Sequence, residues 1–438
     1  MNLIHPADLK NRQVLILGLG SFGGGAGCAR ALHELGAKVT VSDLRPASKL
    51  ETSVNSLAGY AIDFVFEEHP EYLFEQADVV VVNPAVPNEA PIWDLARKHN
   101  CELTTEINLA IACSANIPTI AITGTHGKST CASLLHHLLG ENTLLAGNLG
   151  GSFLEQVLSR PDLETIVLEM SSFQCERLIA PPAWPKVAVL TCFGVDHLDR
   201  HGDLESYAAA KRRLLEYQDD SCFALIAGGD AESTHWSRAA KGNWEELDGW
   251  KINDFDLSAA DLPFTESFRM PSMFAALRSL RILGRECVRL NQYPGLEHRM
   301  QRFVDIHDRV IIDNGVATHP TPTAAALSSI GGKKVLLAGG KDKSLDLSDI
   351  MSALGKKTRL HLHGAGGLRL AQLCDKAKVD YAFHENFEIA AEMALSGLQS
   401  DETLLFSPSF SSFDEFNNFS ERAQLFLKLT EDIPVGKA

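Results

Sequence analysis

Thr119-Ile-Ala-Ile-Thr123 runs straight into Gly124-Thr125-His126-Gly127-Lys128-Ser129-Thr130, and a helical pattern, Cys131–Leu139, follows. A buried strand, a glycine turn, a Lys-Ser-Thr triplet and a helix N-terminus make a cradle for nucleotide phosphates. Backbone N–H groups and Lys128 would hold the β- and γ-phosphates, and the Ser129 hydroxyl would reach Mg2+. A strict Walker loop has Gly where Ile122 stands, so the loop is a variant. A chance match is disfavoured because strand and helix flank the loop in the required order. A second loop lies upstream. Val14-Leu-Ile-Leu17 leads into Gly18-Leu19-Gly20-Ser21-Phe22-Gly23, then a helix over Gly27–Leu35 and a strand over Ala37–Ser42 that ends at Asp43. Taken alone, this full GxGxxG reads as an NAD-dependent dehydrogenase, with Asp43 about 20 residues on, where an acid holds a ribose hydroxyl. It also reads as a structural turn with no ligand. The second phosphate loop is what a simple dehydrogenase does not need.

Other residues carry chemistry only in company. Glu169 closes the run Thr165–Leu168; an acid at a strand end suits a hard-oxygen Mg2+ site, and equally a surface cap. His197 sits in Asp196-His-Leu-Asp-Arg-His201, where an isolated histidine is ordinarily a satisfied loop residue. Lys211 lies on a helical stretch, Ser206–Glu216, and a helical lysine is ordinarily solvated or snorkelling.

The elements that must position these residues are short β-branched runs alternating with helical patterns. Val14–Leu17, Val79–Val82, Thr119–Thr123, Thr165–Leu168, Val187–Thr191, Val310–Ile312 and Val335–Ala338 read as buried parallel strands. The fold class is α/β, built from doubly wound units. Pro and Gly punctuate the pattern near Cys113–Pro118 and Tyr293–Gly295. Cuts there give three domains, 1–112, 113–293 and 294–438, the outer two Rossmann-like and the central one a P-loop-type ATPase. The stretch Ser233–Pro271 reads as an insertion or a partly irregular region. The net charge of −16 argues against general nucleic-acid binding. The nine cysteines form no CxxC pair, which excludes the usual zinc and thioredoxin patterns and suits a reducing compartment. The N-terminal MNLIHPADLKNRQ lacks a signal-peptide core, and no run approaches the ~18 apolar residues of a spanning helix. A cytoplasmic protein without membrane insertion is the expectation.

With these residues in hand, the chain resembles the Mur ligase family along nearly its whole length. The resemblance runs through Thr123-Gly-Thr-His-Gly-Lys-Ser-Thr130, Gly147-Asn148-Leu-Gly150, Leu168-Glu169-Met-Ser171-Ser-Phe-Gln174 and Asp196-His197-Leu-Asp-Arg-His-Gly202. It continues in Ser206-Tyr-Ala-Ala-Ala-Lys211, Leu296-Glu-His298-Arg299, Ala338-Gly-Gly-Lys-Asp342-Lys343 and Ser407-Pro-Ser-Phe-Ser-Ser412-Phe413-Asp-Glu-Phe416. The first glycine loop, Ser42-Asp43-Leu-Arg45 and Glu169–Gln174 look like the D-glutamate-adding member, while His126 is more usual in the L-alanine-adding one.

The resemblance implies an ATP-dependent ligase that joins D-glutamate to UDP-N-acetylmuramoyl-L-alanine through an acyl phosphate, as a monomer, in peptidoglycan precursor synthesis. It implies ATP and two Mg2+ ions as cofactors. Gly124 to Thr130 with Arg299 and Asn314 would bind ATP. Ser129, Glu169, His197 and a carbamylated Lys211 would serve the metals. Gly20, Ser21, Phe22, Asp43, Arg45, Asn148, Ser171, Gln174 and His197 would hold the UDP-linked acid, with the first glycine loop at its diphosphate. Thr318, Lys343, Ser412, Phe413 and Phe419 would hold the amino acid in a C-terminal domain that closes over the site. Bottom-up chemistry agrees: a carboxylate must be activated before an amine can attack it, and phosphoryl transfer needs charge neutralisation and alignment.

The sequence departs from the family in three places. Phe268-Arg269-Met-Pro-Ser272 stands for His-Asn-x-x-Asn near the adenine. Asn314-Gly315-Val316 stands for Asp-Ser-Lys. Ala85 stands for the Gly beside the uridine. A related ligase using another amino acid, and a non-catalytic nucleotide-sugar-binding homologue, are the alternative readings.

Overall fold

The computed structural model describes residues 1–228, 231–304, 309–355 and 357–431. It has three sheets. The first has β1 (Gln13–Leu17), β2 (Lys38–Asp43), β3 (Asp63–Phe66), β4 (Val79–Val82) and β5 (Glu102–Thr104) in the order β3-β2-β1-β4-β5. The second has β6 (Thr119–Thr123), β7 (Thr143–Gly147), β8 (Thr165–Glu169), β9 (Val187–Leu190), β10 (Phe223–Ile226) and β11 (Asn243–Glu246) in the order β11-β10-β9-β6-β8-β7. All pairs in both sheets are parallel. The third has β12 (Gln301–Val304), β13 (Val310–Asp313), β14 (Lys333–Gly339), β15 (Thr358–His363), β16 (Tyr381–His384) and β17 (Glu402–Ser409) in the order β12-β13-β17-β14-β15-β16.

The strands are apolar at successive positions because both sheet faces are covered. In β1, Val14 and Ile16 point into one core while Leu15 and Leu17 point into another. In β6, Ala121 faces one way and Ile120 and Ile122 the other, onto the helices Lys128–Leu139 and Met270–Ile282. One apolar cluster contains Val14 and Val41 from the first sheet and Leu168 and Leu190 from the second. Those two sheets accordingly lie in one compact unit, residues 1–265 with 269–293; the third sheet belongs to another, residues 294–438 with 266–268.

Three expectations are corrected. Edge strand β12 runs antiparallel to β13, where a parallel sheet was expected; only five residues of sequence separate the two strands, fewer than the crossover of a parallel pair needs. The stretch read as an insertion or a partly irregular region, Ser233–Pro271, does hold 3-10 turns and loops, but it also contains most of a helix, Ala231–Ala239, and strand β11, which extends the second sheet in parallel beside β10. Its apolar signal is weak because β11 is an exposed edge strand. The expected helix Ser206–Glu216 is an α-helix over Leu204–Arg212 followed by a 3-10 turn, Arg213–Leu215.

Candidate active site

In open parallel sheets, ligands sit beyond the strand C-termini where the winding reverses. In the second sheet that point lies between β6 and β9, and the phosphate loop leaves β6 there. Gly124 and Gly127 take φ of +142° and +85°, and neither could carry a side chain: an added Cβ would meet Thr191 Oγ1 at 2.1 Å or Ser272 Oγ at 2.5 Å. Thr125 N donates to Cys192 O at 2.9 Å and Met170 N to Ile122 O at 2.8 Å. The loop is thus clamped between the ends of β8 and β9.

Lys128 opens the helix and its Nζ donates to Gly124 O at 3.0 Å and Thr125 O at 2.9 Å. Lys211 converges on the same carbonyl, its Nζ donating to Gly124 O at 2.8 Å. The lysine is 1% exposed, against the solvated position that a helical lysine ordinarily takes. Its ammonium also lies 4.4 Å from the Tyr207 ring centroid. Burial, reinforced by the Lys128 charge, brings its pKa down to about 7.

Glu169 ends β8, 2% exposed. Oε1 accepts from Asn148 Nδ2 at 3.1 Å, whereas Oε2 is buried with no hydrogen-bond partner among the described residues. A buried carboxylate oxygen without a donor is costly unless a cation completes it. Beside a phosphate loop and the Ser129 hydroxyl position, this oxygen fits a Mg2+ site of hard oxygen donors. His197 caps the short helix Leu198–His201 in the left-handed conformation, φ +51°, with Nε2 3.5 Å from Asp196 Oδ2. Its ring lies edge-on to Phe173 at 5.0 Å and tilted to Tyr207 at 6.4 Å, while Tyr207 Oη reaches Thr125 Oγ1 at 3.2 Å. Lys128, Lys211, Glu169 and His197 therefore border one region. Ser171 and Gln174 form a reciprocal capping box on the helix Ser172–Glu176, so the Gln174 carbonyl oxygen is engaged within the protein.

The first sheet reverses between β1 and β4, and Asn83 Nδ2 closes that point on Gly18 O at 3.2 Å. Asp43 accepts from Gly20 N at 3.3 Å and from Arg45, whose Nη1 also donates to Ser21 Oγ at 3.1 Å. These bonds hold its carboxyl below its usual range against the opposing effect of burial. Phe22 is 82% exposed at the loop tip, and its carbonyl accepts from Gly151 N at 2.8 Å. The first glycine loop is thereby joined to the loop that carries Asn148.

In the other unit, adjacent strands β13, β17 and β14 send the loops with Thr318, Ser412 and Lys343 from one edge. Lys341 N donates to Ser411 O at 2.8 Å and Ser409 N to Ala317 O at 2.8 Å. Phe413 and Phe419 are exposed and Ser412 is buried. Asn314 donates to Ser407 Oγ at 3.0 Å, and Gly315 is required by packing, since an added Cβ would lie 2.8 Å from the Phe406 ring. Arg299 is half-buried.

Sequence reasoning missed Arg177, whose guanidinium fastens the loop after β4, and took Ser272 only as a departure near the adenine, without its contact to the phosphate loop, Oγ donating to Gly127 O at 3.2 Å. Neither carries a local signal, because each acts on backbone carbonyls remote in sequence.

Comparison with known proteins follows the same lines. A profile of the Mur ligase middle domain matches residues 122–274, and one of the Mur ligase MurD-like N-terminal domain matches residues 12–105. The UDP-N-acetylmuramoylalanine–D-glutamate ligase of Geobacter metallireducens is 32% identical over 456 residues, spanning 98% of this chain and 99% of its own. The enzyme of the same description from a Roseiflexus species is 30% identical over 466 residues, spanning 97% and 99%. Among solved structures, a UDP-N-acetylmuramate-alanine ligase from Thermotoga maritima superposes with a TM-score of 0.60 at 16% identity, covering 96% of this chain and 99% of that one. MurF from Acinetobacter baumannii gives 0.58 at 16%, covering 96% and 93%. These structures share the fold.

Proposed function

We infer that this chain, which belongs to the Mur ligase family, is an ATP-dependent amide-forming ligase that adds D-glutamate to UDP-N-acetylmuramoyl-L-alanine. Relatives described as UDP-N-acetylmuramoylalanine–D-glutamate ligases match this chain over nearly its full length. The observation that carries the reading is the meeting of the phosphate loop, the buried Lys211 and the open Glu169 oxygen at one edge of the second sheet.

The roles of individual residues follow from chemistry. Lys128 and the loop amides align the ATP phosphates with the substrate carboxylate; transfer of the γ-phosphoryl gives an acyl phosphate and ADP, and the amine of glutamate attacks the acyl carbon, forming the amide and releasing phosphate. Ser129, Glu169, His197 and Lys211 would hold magnesium, with two ions as the proposed number. Magnesium, when bound, neutralises phosphate charge during transfer. A buried lysine amine near neutrality adds CO2, losing a proton, and the carbamate formed is an oxygen ligand. Gly20, Ser21, Phe22, Asp43 and Arg45 take the UDP end, and Asn148, Ser171 and Gln174 the sugar and peptide. Lys343, Thr318, Ser412, Phe413 and Phe419 receive glutamate, while Arg299 and Asn314 belong to the ATP set. Val316 stands where the family has a second cation. No helix among the described residues is long and apolar enough to cross a membrane; a cytoplasmic monomer is the proposed working form.

The test is phosphate release from ATP in the presence of UDP-N-acetylmuramoyl-L-alanine and a panel of amino acids. Release should require both partners and be greatest with D-glutamate. Preference for a neutral amino acid would overturn the specificity and leave the reaction type standing; release indifferent to the UDP-linked acid would overturn the whole reading.

A further inference from the structure

The C-terminal ends of β2 and β3 hold a histidine that the reading above leaves unused. Ser42, next to last in β2, is wholly buried, and its carbonyl accepts from Gly18 N at 2.8 Å. It is therefore part of the wall of the first glycine loop. Its Oγ lies 2.9 Å from Glu68 O and 2.7 Å from His69 Nδ1. A hydroxyl has a single proton, and a carbonyl can only accept. If Ser42 donates to Glu68, the His69 contact requires Nδ1–H to donate to a Ser42 lone pair; this assignment alone satisfies both neighbours.

The tautomer so fixed leaves Nε2 as the acceptor of a neutral imidazole. Burial holds the His69 pKa below its usual value, only partly offset by the Asp43 carboxylate nearby, so the ring is neutral at pH 7. Nε2 has no hydrogen-bond partner among the described residues. Asp43 differs: Oδ1 receives Arg45 N at 2.9 Å and Nε at 3.2 Å, and Oδ2 receives Gly20 N at 3.3 Å and Arg45 Nη2 at 3.2 Å. The acid that sequence patterning marks for the ribose is largely occupied, and the acceptor with capacity left beside it is the histidine.

We propose that His69 is a substrate-binding residue of the first glycine loop's site, accepting at Nε2 a hydrogen bond from a donor on the nucleoside of the UDP-linked substrate. The proposal rests on the reading that this loop holds UDP. The available donors are the ribose hydroxyls and the uracil N3–H.

The experiment measures binding of UDP, 2′-deoxy-UDP, 3′-deoxy-UDP and 3-methyl-UDP to the full chain by calorimetry. The variants are His69→Asn and His69→Gln, each checked for an unchanged unfolding transition. The asparagine amide nitrogen stands where Nδ1 stands and keeps the Ser42 contact, but it offers nothing at Nε2. The glutamine oxygen reaches toward the Nε2 position. His69→Asn should weaken UDP about three- to tenfold, the range for one net hydrogen bond. The analogue lacking the donor should be penalised by a similar factor in the parent and not in His69→Asn. His69→Gln should retain most of the affinity. The proposal is overturned if His69→Asn binds UDP as the parent does, or if no analogue penalty changes in it. Failure of the parent to bind UDP overturns the assignment of the loop and this inference together. Parent binding with an indifferent His69→Asn overturns the inference alone.

Discussion

Replacing Arg177 by Met should cost about 3–4 kcal/mol of stability in the unit that holds the first two sheets. The guanidinium donates to the carbonyls of Asn83 (3.0 Å), Pro84 (3.3 Å) and Val86 and to Asn88 Oδ1 (3.0 Å). It also lies 4.7 Å from the Trp93 ring centroid, and the residue is 6% exposed. Hydrogen bonds to a charged group are worth about 1.5–3 kcal/mol each, and the cation–π contact about 1 kcal/mol. At the lower bound these contacts give about 7 kcal/mol. Burial opposes them: desolvation, aided by the Arg200 charge, lowers the Arg177 pKa from its ordinary value to about 10, which costs about 3 kcal/mol at ~1.4 kcal/mol per pKa unit. Methionine keeps the apolar stem and leaves the carbonyls without their donor. Urea unfolding would measure the loss, and Arg177→Lys, with one nitrogen in place of a fork, should fall between the two. Because the fastened loop is the one proposed beside the uridine, KM for the UDP-linked acid should rise more than kcat falls. A folded Arg177→Met within 0.5 kcal/mol of the parent, with unchanged KM, would refute the reasoning.

Lys128→Ala should lower phosphate release at least about a hundredfold, the scale of a lost transition-state donor, with the unfolding curve retained; near-parent release by the folded variant would sink the assignment of the loop. Lys211→Ala should be weakly active and partly restored by short carboxylic acids, and 13C-labelled bicarbonate should give a carbamate signal in the parent that the variant lacks. A parent without that signal, and a fully active variant, would remove the metal role of Lys211. Burial pushes the Glu106 carboxyl from 4.5 up to about 6, against bonds from Leu154 N and Ser152. A raised folded pKa means that the native state binds this proton more tightly, so its stability contribution is complete below about pH 4.5 and is lost as pH rises through 6. Glu106→Gln should therefore gain on the parent by about 2 kcal/mol between pH 4.5 and 7; a difference in unfolding free energy that stays flat across that range counts against the buried carboxylate.

The local chain determined its own strands and turns. Val79–Val82 is apolar at every position because each face of a parallel sheet is covered, and that pattern needs no partner to be read. Gly127 announces itself because the loop demands φ of +85° and leaves no room for a Cβ. The two glycine loops were legible for the same reason: each is a short motif whose geometry is made by its own backbone, whereas Glu169, His197 and Lys211 were singled out only through the family resemblance. Tertiary structure decided the rest. Lys211 reads locally as a solvated helical lysine, and only its arrival under Gly124, 87 residues away, takes it out of water. The irregular look of Ser233–Pro271 concealed β11, whose weak apolar pattern follows from its place at the sheet edge. Arg177 and His69 carry no motif, since their partners are carbonyls and a hydroxyl on other strands' ends. A side chain's chemistry is set by its solvation and its neighbours' dipoles, and the chain acquires both only when distant segments pack together.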